Sequence, residues 1–254
     1  MDYVDRLRGR SQTFSLNNAL KFTDISPSVQ SHLEKVYLTL TGMLLLSAVG
    51  VSIAQIFSLG TWIPVIGFVA CMFFLISTHP TAFNLNKRVS GGRRYGLLAG
   101  CALFEGATLG PLVQIVLATH PGILVTAFLG TSTVFACFSA AALLSRRRSW
   151  LYLGGALSSA MSVLLLMRLG SYFLGGRAFM FQAELYVGLL IFIGYVLFDT
   201  QAIVEKAERG DRDHIKHALD LFVDFAAIFA RILVILLQNA ESRDEKSDRR
   251  RRRR

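Results

Sequence analysis

The chain is short of charge, of proline and of cysteine. Charged residues make up 17% of its 254 positions, against roughly 25% in a typical soluble domain. That deficit, with 53% apolar residues, excludes a disordered chain and an ordinary soluble enzyme. The three cysteines, Cys71, Cys101 and Cys137, lie inside apolar runs and form no CxxC pair. A disulfide-stapled secreted domain is therefore excluded, and the three read as small buried apolar side chains. There is no Asn-x-Ser/Thr acceptor, no phosphate-binding glycine motif and no Ser/His/Asp pattern. No enzyme and no bound cofactor are expected.

What remains is apolar. Mean hydropathy is +0.47, with 19 Phe and 21 Gly but only 5 Pro. A bilayer core takes about 20 apolar residues per helix. Runs of that length cover about 36–58, 61–83, 95–118, 122–144, 150–174 and 183–204. A seventh run, about 217–239, is apolar but carries Asp220, Asp224 and Arg231. The reading is an all-α polytopic membrane protein, a bundle of seven transmembrane helices. Residues 1–35 form a polar N-terminal segment, 36–240 the membrane domain and 241–254 a basic tail.

Basic residues alternate between connections. Lys87, Arg88, Arg93 and Arg94 follow the second run, Arg146 to Arg148 the fourth, and Lys206, Arg209, Arg212 and Lys216 the sixth. The opposite connections hold only Arg168 and Arg177. The N-terminal segment adds Arg6, Arg8, Arg10, Lys21 and Lys35 to the basic side. The positive-inside rule puts that side in the cytosol. Parity then raises a conflict, because seven crossings carry Arg249, Arg250, Arg251, Arg252, Arg253 and Arg254 to the far side. Two architectures stay open: seven crossings, or six with a re-entrant seventh segment enclosed by protein.

Ionisable residues at bilayer depth cost at least about 2.5–3.5 kcal/mol and normally need a partner or a purpose. The candidates are Glu105, Asp199, Asp220, Asp224 and Arg231, with Glu184 near an edge. Asp199 and Asp224 are equidistant from a turn tip beside Gly210 and Asp211. In an antiparallel helix pair, equidistant positions share a depth. Each Asp then sits some nine residues into its helix, roughly 14 Å at 1.5 Å per residue, close to mid-bilayer. Two carboxyls there do not easily carry two charges, so they titrate as a dyad sharing a proton. Fully ionised, they attract a hard cation such as calcium, in a weak site that suits permeation.

The alternative is a protonated Asp acting as structural glue. Asp220, four residues before Asp224, extends the acidic face or marks its mouth. Arg231, seven residues after Asp224, is a counter-ion or a gate, and Glu105 is a candidate partner for it. An intramembrane aspartyl protease is disfavoured, since Leu221-Phe222-Val223 precedes Asp224 in place of a Gly-x-Gly. His214 and His217 have the spacing of a helix-face metal pair, but a solvated or pH-responsive element is the better reading. The basic tail favours an anionic membrane or an acidic protein over nucleic acid, and is expected to be disordered in isolation.

Phe198-Asp199-Thr200-Gln201, Glu205-Lys206-Ala207 and Asp220-Leu221-Phe222-Val223-Asp224-Phe225 resemble the signature of the Bax inhibitor family, the transmembrane Bax-inhibitor-motif proteins. Leu109-Gly110-Pro111, Thr126 to Thr131, and Arg146 to Ser149 with Tyr152 to Gly155 resemble its middle spans. So does the approach Ile25 to Gln30 with His32-Leu33, and Phe104 to Ala107 is similar to the plant type. The resemblance covers about residues 20–240. It implies a multi-pass endoplasmic-reticulum protein with a cytosolic N-terminus, a central seventh helix, and suppression of stress- and Bax-induced cell death. It also implies a pH-dependent calcium leak, with calcium as permeant ion and the family's carboxylate dyad falling on Asp199 and Asp224. Bacterial members carry a latching arginine on the second span; Trp62 to Phe83 contains none, with only His79 near its end. The tail is linked by the resemblance to pH sensing, to death regulators and, in plant members, to calmodulin. A membrane scaffold for death regulators or lipid-modifying enzymes, with the dyad structural, is the competing reading.

Overall fold

The computed structural model describes residues 26–57, 60, 62–78, 91–145, 150–174 and 177–252. Among them are seven helices and no strand. They are α1 (Pro27–Ile56), α2 (Trp62–Ser77), α3 (Gly91–Thr119), α4 (Gly122–Leu144), α5 (Leu153–Leu174), α6 (Arg177–Glu208) and α7 (His214–Arg251). Five of them, α1 and α3 to α6, are long and apolar enough to cross a membrane; α2 is apolar but has 16 residues. The all-α multi-pass architecture expected from the sequence is thus the one observed. Arg6, Arg8, Arg10, Lys21, His79, Lys87, Arg88, Arg146 to Arg148, Arg253 and Arg254 lie outside the described residues.

Each helix begins and ends for local reasons. Pro27 at the first position of α1 has its φ set for a helix and loses no hydrogen bond there. This starts α1 well before the apolar run at 36, so part of the expected N-terminal segment belongs to the first helix. α6 ends in a Schellman turn. The Gly210 amide donates to the Ala207 carbonyl at 3.2 Å and the Asp211 amide to the Lys206 carbonyl at 2.9 Å. Gly210 has φ +96°, a left-handed conformation open to glycine at little cost.

α7 is the axis of the bundle. It packs against α1, α3, α4 and α6, while α2 leans on α3 and α5 on α6. The core runs along it through Leu221, Phe222, Phe225, Ile228 and Leu233, all almost fully buried. Around the rim, Leu38, Trp62, Ile66, Phe73, Val125, Leu166 and Leu190 stand exposed. Apolar outside as well as inside is what a lipid-facing bundle requires.

The closest helix approach is between α1 and α3. A Cβ on Gly50 would collide with the Leu103 carbonyl, and one on Gly106 with the Ser47 carbonyl. Small residues let two backbones meet at these points.

α7 runs the whole length of α3. Its start stands beside the start of α3, where Arg94 pairs with Asp213. Its far part stands beside the end of α3, where His120 Nε2 lies 3.2 Å from Asp244 Oδ2. A continuous helix between these two contacts is the geometry of a full crossing and does not turn back within the bundle. The tail was also expected to be disordered; here α7 continues through it to Arg251.

The intramembrane carboxyl pair and its surroundings

Asp199 on α6 and Asp224 on α7 face each other, close enough for each carboxyl to act on the other. The hairpin that ends at Gly210 sets this pairing, as the equal spacing from the turn required. Asp224 is 4% exposed and Asp199 half-buried. Two carboxyls so placed can share a hydrogen bond only if one of them keeps its proton, because an ionised carboxylate holds no donor. Asp224 Oδ2 is buried with no partner among the described residues.

Asp220 and Lys206 are the charged groups that act on Asp199 from the turn side. Asp220 acts on Asp224 as well. The three carboxyls and one ammonium thus occupy one end of the α6–α7 seam. Asp220 extends the acidic face toward the turn, as its four-residue spacing indicated.

Arg231 lies on the same seam, seven residues beyond Asp224, and does not touch the dyad. Its guanidinium sits over the Phe192 ring, 4.5 Å from the centroid, and donates from Nη1 to the Ala227 carbonyl at 3.0 Å. Phe192 precedes Asp199 by the same seven residues, so the antiparallel rule that pairs the aspartates also pairs Arg231 with Phe192. Arg231 rests on Gly188, where a Cβ would come within 2.7 Å of its Nε. Arg231 is no counter-ion to the dyad, two helical turns away; the acid nearest to it in effect is Glu184, which shares its pocket. Nor does Glu105 partner it. Glu105 points into a groove between α1, α3, α4 and α7. Glu184 instead pairs with Arg168 of α5 at 2.5 Å.

Between the dyad and the α6–α7 turn lies a polar layer built on His214 and His217; the solvated reading of the pair is corrected for His217, which is buried, and its partner His32 gave no signal in the sequence. His217, fully buried, is hydrogen-bonded through Nδ1 to Nε2 of His32 on α1 at 2.9 Å. Tyr95 of α3 meets His214 Nε2 at 2.6 Å. The two histidines of α7 therefore point to different helices. Among the described residues no group of three or more His, Cys, Asp or Glu side chains gathers to hold a metal.

Beside this layer, Tyr37 of α1 bonds Ser139 of α4, which lies 3.2 Å from Thr200 of α6. Gln201 ties α6 to the α4–α5 connection. It donates to Ser145 Oγ at 2.6 Å and accepts from the Trp150 amide at 2.8 Å. The Phe-Asp-Thr-Gln stretch thus puts one residue in the dyad and the next two in helix-joining bonds.

Residues 29–241 match the family described as "Inhibitor of apoptosis-promoting Bax1". The chain belongs to the Bax inhibitor family. It is 46% identical to Bax inhibitor 1 of Arabidopsis thaliana over 234 residues, 92% of each chain. It is 45% identical to Bax inhibitor 1 of Oryza sativa subsp. japonica over 231 residues, 91% of this chain and 90% of that one. The human Bax inhibitor 1 is 43% identical over 226 residues, 88% of this chain and 92% of that one. The Bax inhibitor match ends at 241, inside α7, so it takes in all seven helices except the two ends of the chain's helical part and leaves the arginine run outside.

Proposed function

We propose that this chain suppresses programmed cell death from the endoplasmic-reticulum membrane, by means of a pH-sensitive calcium leak that the Asp199–Asp224 pair controls. The observation that carries the reading is the facing of two carboxyls, Asp199 on α6 and Asp224 on the axial α7. The relatives named Bax inhibitor 1, matched along nearly their whole length, support the cell-death part.

The chemistry follows from the proton. With one proton between them, the carboxyls hold α6 and α7 together and present little charge to a cation. With none, they repel, and four oxygens become available to a hard cation that prefers oxygen ligands. Such a site is weak, because calcium takes six to eight oxygens. Weak binding lets the ion leave, which conduction requires. Asp220 widens the acidic end of the path, and Arg231 over Phe192 is a positive constriction farther along the same seam. In this reading calcium is substrate, and no resident cofactor takes part.

The N-terminus and the basic connections face the cytosol under the positive-inside rule. The basic end of α7, from Arg249 on, binds anionic lipid headgroups through charge. The same basic helix end favours a second reading, a scaffold that recruits death regulators or calmodulin while the dyad only braces the fold.

The double variant Asp199→Asn, Asp224→Asn separates the two. It keeps shape and hydrogen bonding but cannot ionise. Expressed at matched abundance in Bax-expressing cells, it should give no protection if the leak is the mechanism. Full protection by this variant would establish the scaffold reading instead.

A further inference from the structure

A groove of about 450 Å³ opens on the side of the bundle. α1 and α3 form one wall, α4 the other, and Phe222, Phe225, Ala226 and Phe229 of α7 the floor. It exists because α4 packs on α6 and α7 and only lightly on α3, leaving a gap beside the tightly joined α1–α3 pair. The volume falls in the range of ordinary ligand pockets, and a mostly apolar wall with a few polar groups is their usual composition. Val125 and Leu129 on its rim are 60% exposed, so the groove opens sideways, toward lipid, and not along the dyad seam.

Four polar residues break the apolar lining; Ser47 and Ser52 spend their hydroxyls on carbonyls of their own helix, which leaves Gln55 and Glu105. Gln55 Nε2 is buried and has no partner among the described residues. Glu105 stands at the middle of α3, about 21 Å from either end at 1.5 Å per residue. Among the described residues it makes no hydrogen bond and no ion pair. The other acids at this depth behave differently: Asp199 and Asp224 have each other, and Glu184 has Arg168. A carboxyl within a bilayer that finds no partner in its own chain either keeps its proton or is matched by a cation from outside. The groove that reaches it admits apolar molecules from the membrane.

We propose that this groove binds a lipophilic amine, with an alkyl chain along the trough and a protonated amine on Glu105. Charge complementarity selects the amine over a neutral lipid chain, and Gln55 offers a second polar contact nearer the α3–α4 turn. The site is separate from the dyad and does not depend on the proposed leak.

The test uses the full chain in phosphatidylcholine nanodiscs, with hexadecylamine and hexadecanol as probes of equal length and different head. A ligand that binds only the folded state raises the unfolding temperature. The amine should raise it by several degrees and the alcohol by much less. Glu105→Gln should remove the difference, while Asp224→Asn should retain it. Equal shifts from both probes would reassign the groove to alkyl chains in general and overturn the proposal, as would an undiminished amine shift in Glu105→Gln. If that variant does not fold, Ala48→Trp decides. Ala48 lies exposed on the groove wall, and an indole there blocks the trough without entering the core. A full amine shift in Ala48→Trp would equally overturn the assignment.

Discussion

His120, in the turn between α3 and α4, lies 3.2 Å from Asp244 near the end of α7. At the other end of the same two helices, Arg94 pairs with Asp213. Together these contacts span the bundle from one end to the other and run α7 alongside the whole of α3.

The topology prediction follows directly. In a background without the native cysteines, Ser90→Cys and Arg147→Cys should react with an impermeant thiol reagent from one face, and Ser247→Cys only from the other. Labelling of all three from the same face would contradict a complete seventh crossing.

The histidine layer sets a stability prediction. His32→Ala removes the partner of a fully buried imidazole. Leaving such a group unsatisfied costs about 1–3 kcal/mol. The unfolding midpoint in detergent should drop accordingly, and His32→Gln, which keeps a donor and an acceptor, should recover part of it. No loss in His32→Ala would mean that the pair does not join α1 to α7.

Gly50 and Gly106 make a second one. At either position, an alanine methyl meets a backbone carbonyl of the facing helix, which cannot swing away as a side chain can. Overpacking of this kind costs about 1–3 kcal/mol. Gly50→Ala and Gly106→Ala should each lower the melting temperature, whereas Gly42→Ala, with nothing near its Cβ, should be neutral. Equal melting of all three variants would show that α1 and α3 are not held at backbone distance.

What could be read from the sequence divides along a physical line. The α6–α7 hairpin was legible because Gly210 marks the turn and two acids flank it at equal distance. That symmetry needs no knowledge of the other helices. It placed the dyad correctly. The same rule, applied to position 192, also identifies the residue opposite Arg231, yet Phe192 carries no charge and gave no signal. The His32–His217 bond joins residues 185 apart, and nothing local links them. Parity is undecidable in the sequence because the basic connections and the arginine tail argue for opposite answers; that α7 runs the length of α3 is a tertiary fact, and it favours a seventh crossing. Glu105 stood out as an intramembrane charge, but its groove arises from how far α4 sits from α3, a tertiary distance.

Arg231 offers a prediction on transport. A guanidinium held over an aromatic ring on the α6–α7 seam is a positive barrier to a cation moving along it. Arg231→Gln, which removes the charge, should raise basal calcium efflux from proteoliposomes several-fold without changing its dependence on pH. Efflux equal to or below that of the parent protein would show that the seam past Phe192 is not the ion path.

The central claim is that a shared proton on Asp199 and Asp224 controls calcium passage. The most direct measurement is calcium efflux from proteoliposomes loaded with a calcium dye, followed from mildly acidic to mildly alkaline buffer. The parent protein is compared with the double variant Asp199→Asn, Asp224→Asn. The account predicts a clear pH dependence in the parent and a flat profile in the variant, at equal incorporation and with helical content preserved. An unchanged pH profile in the double variant would contradict it.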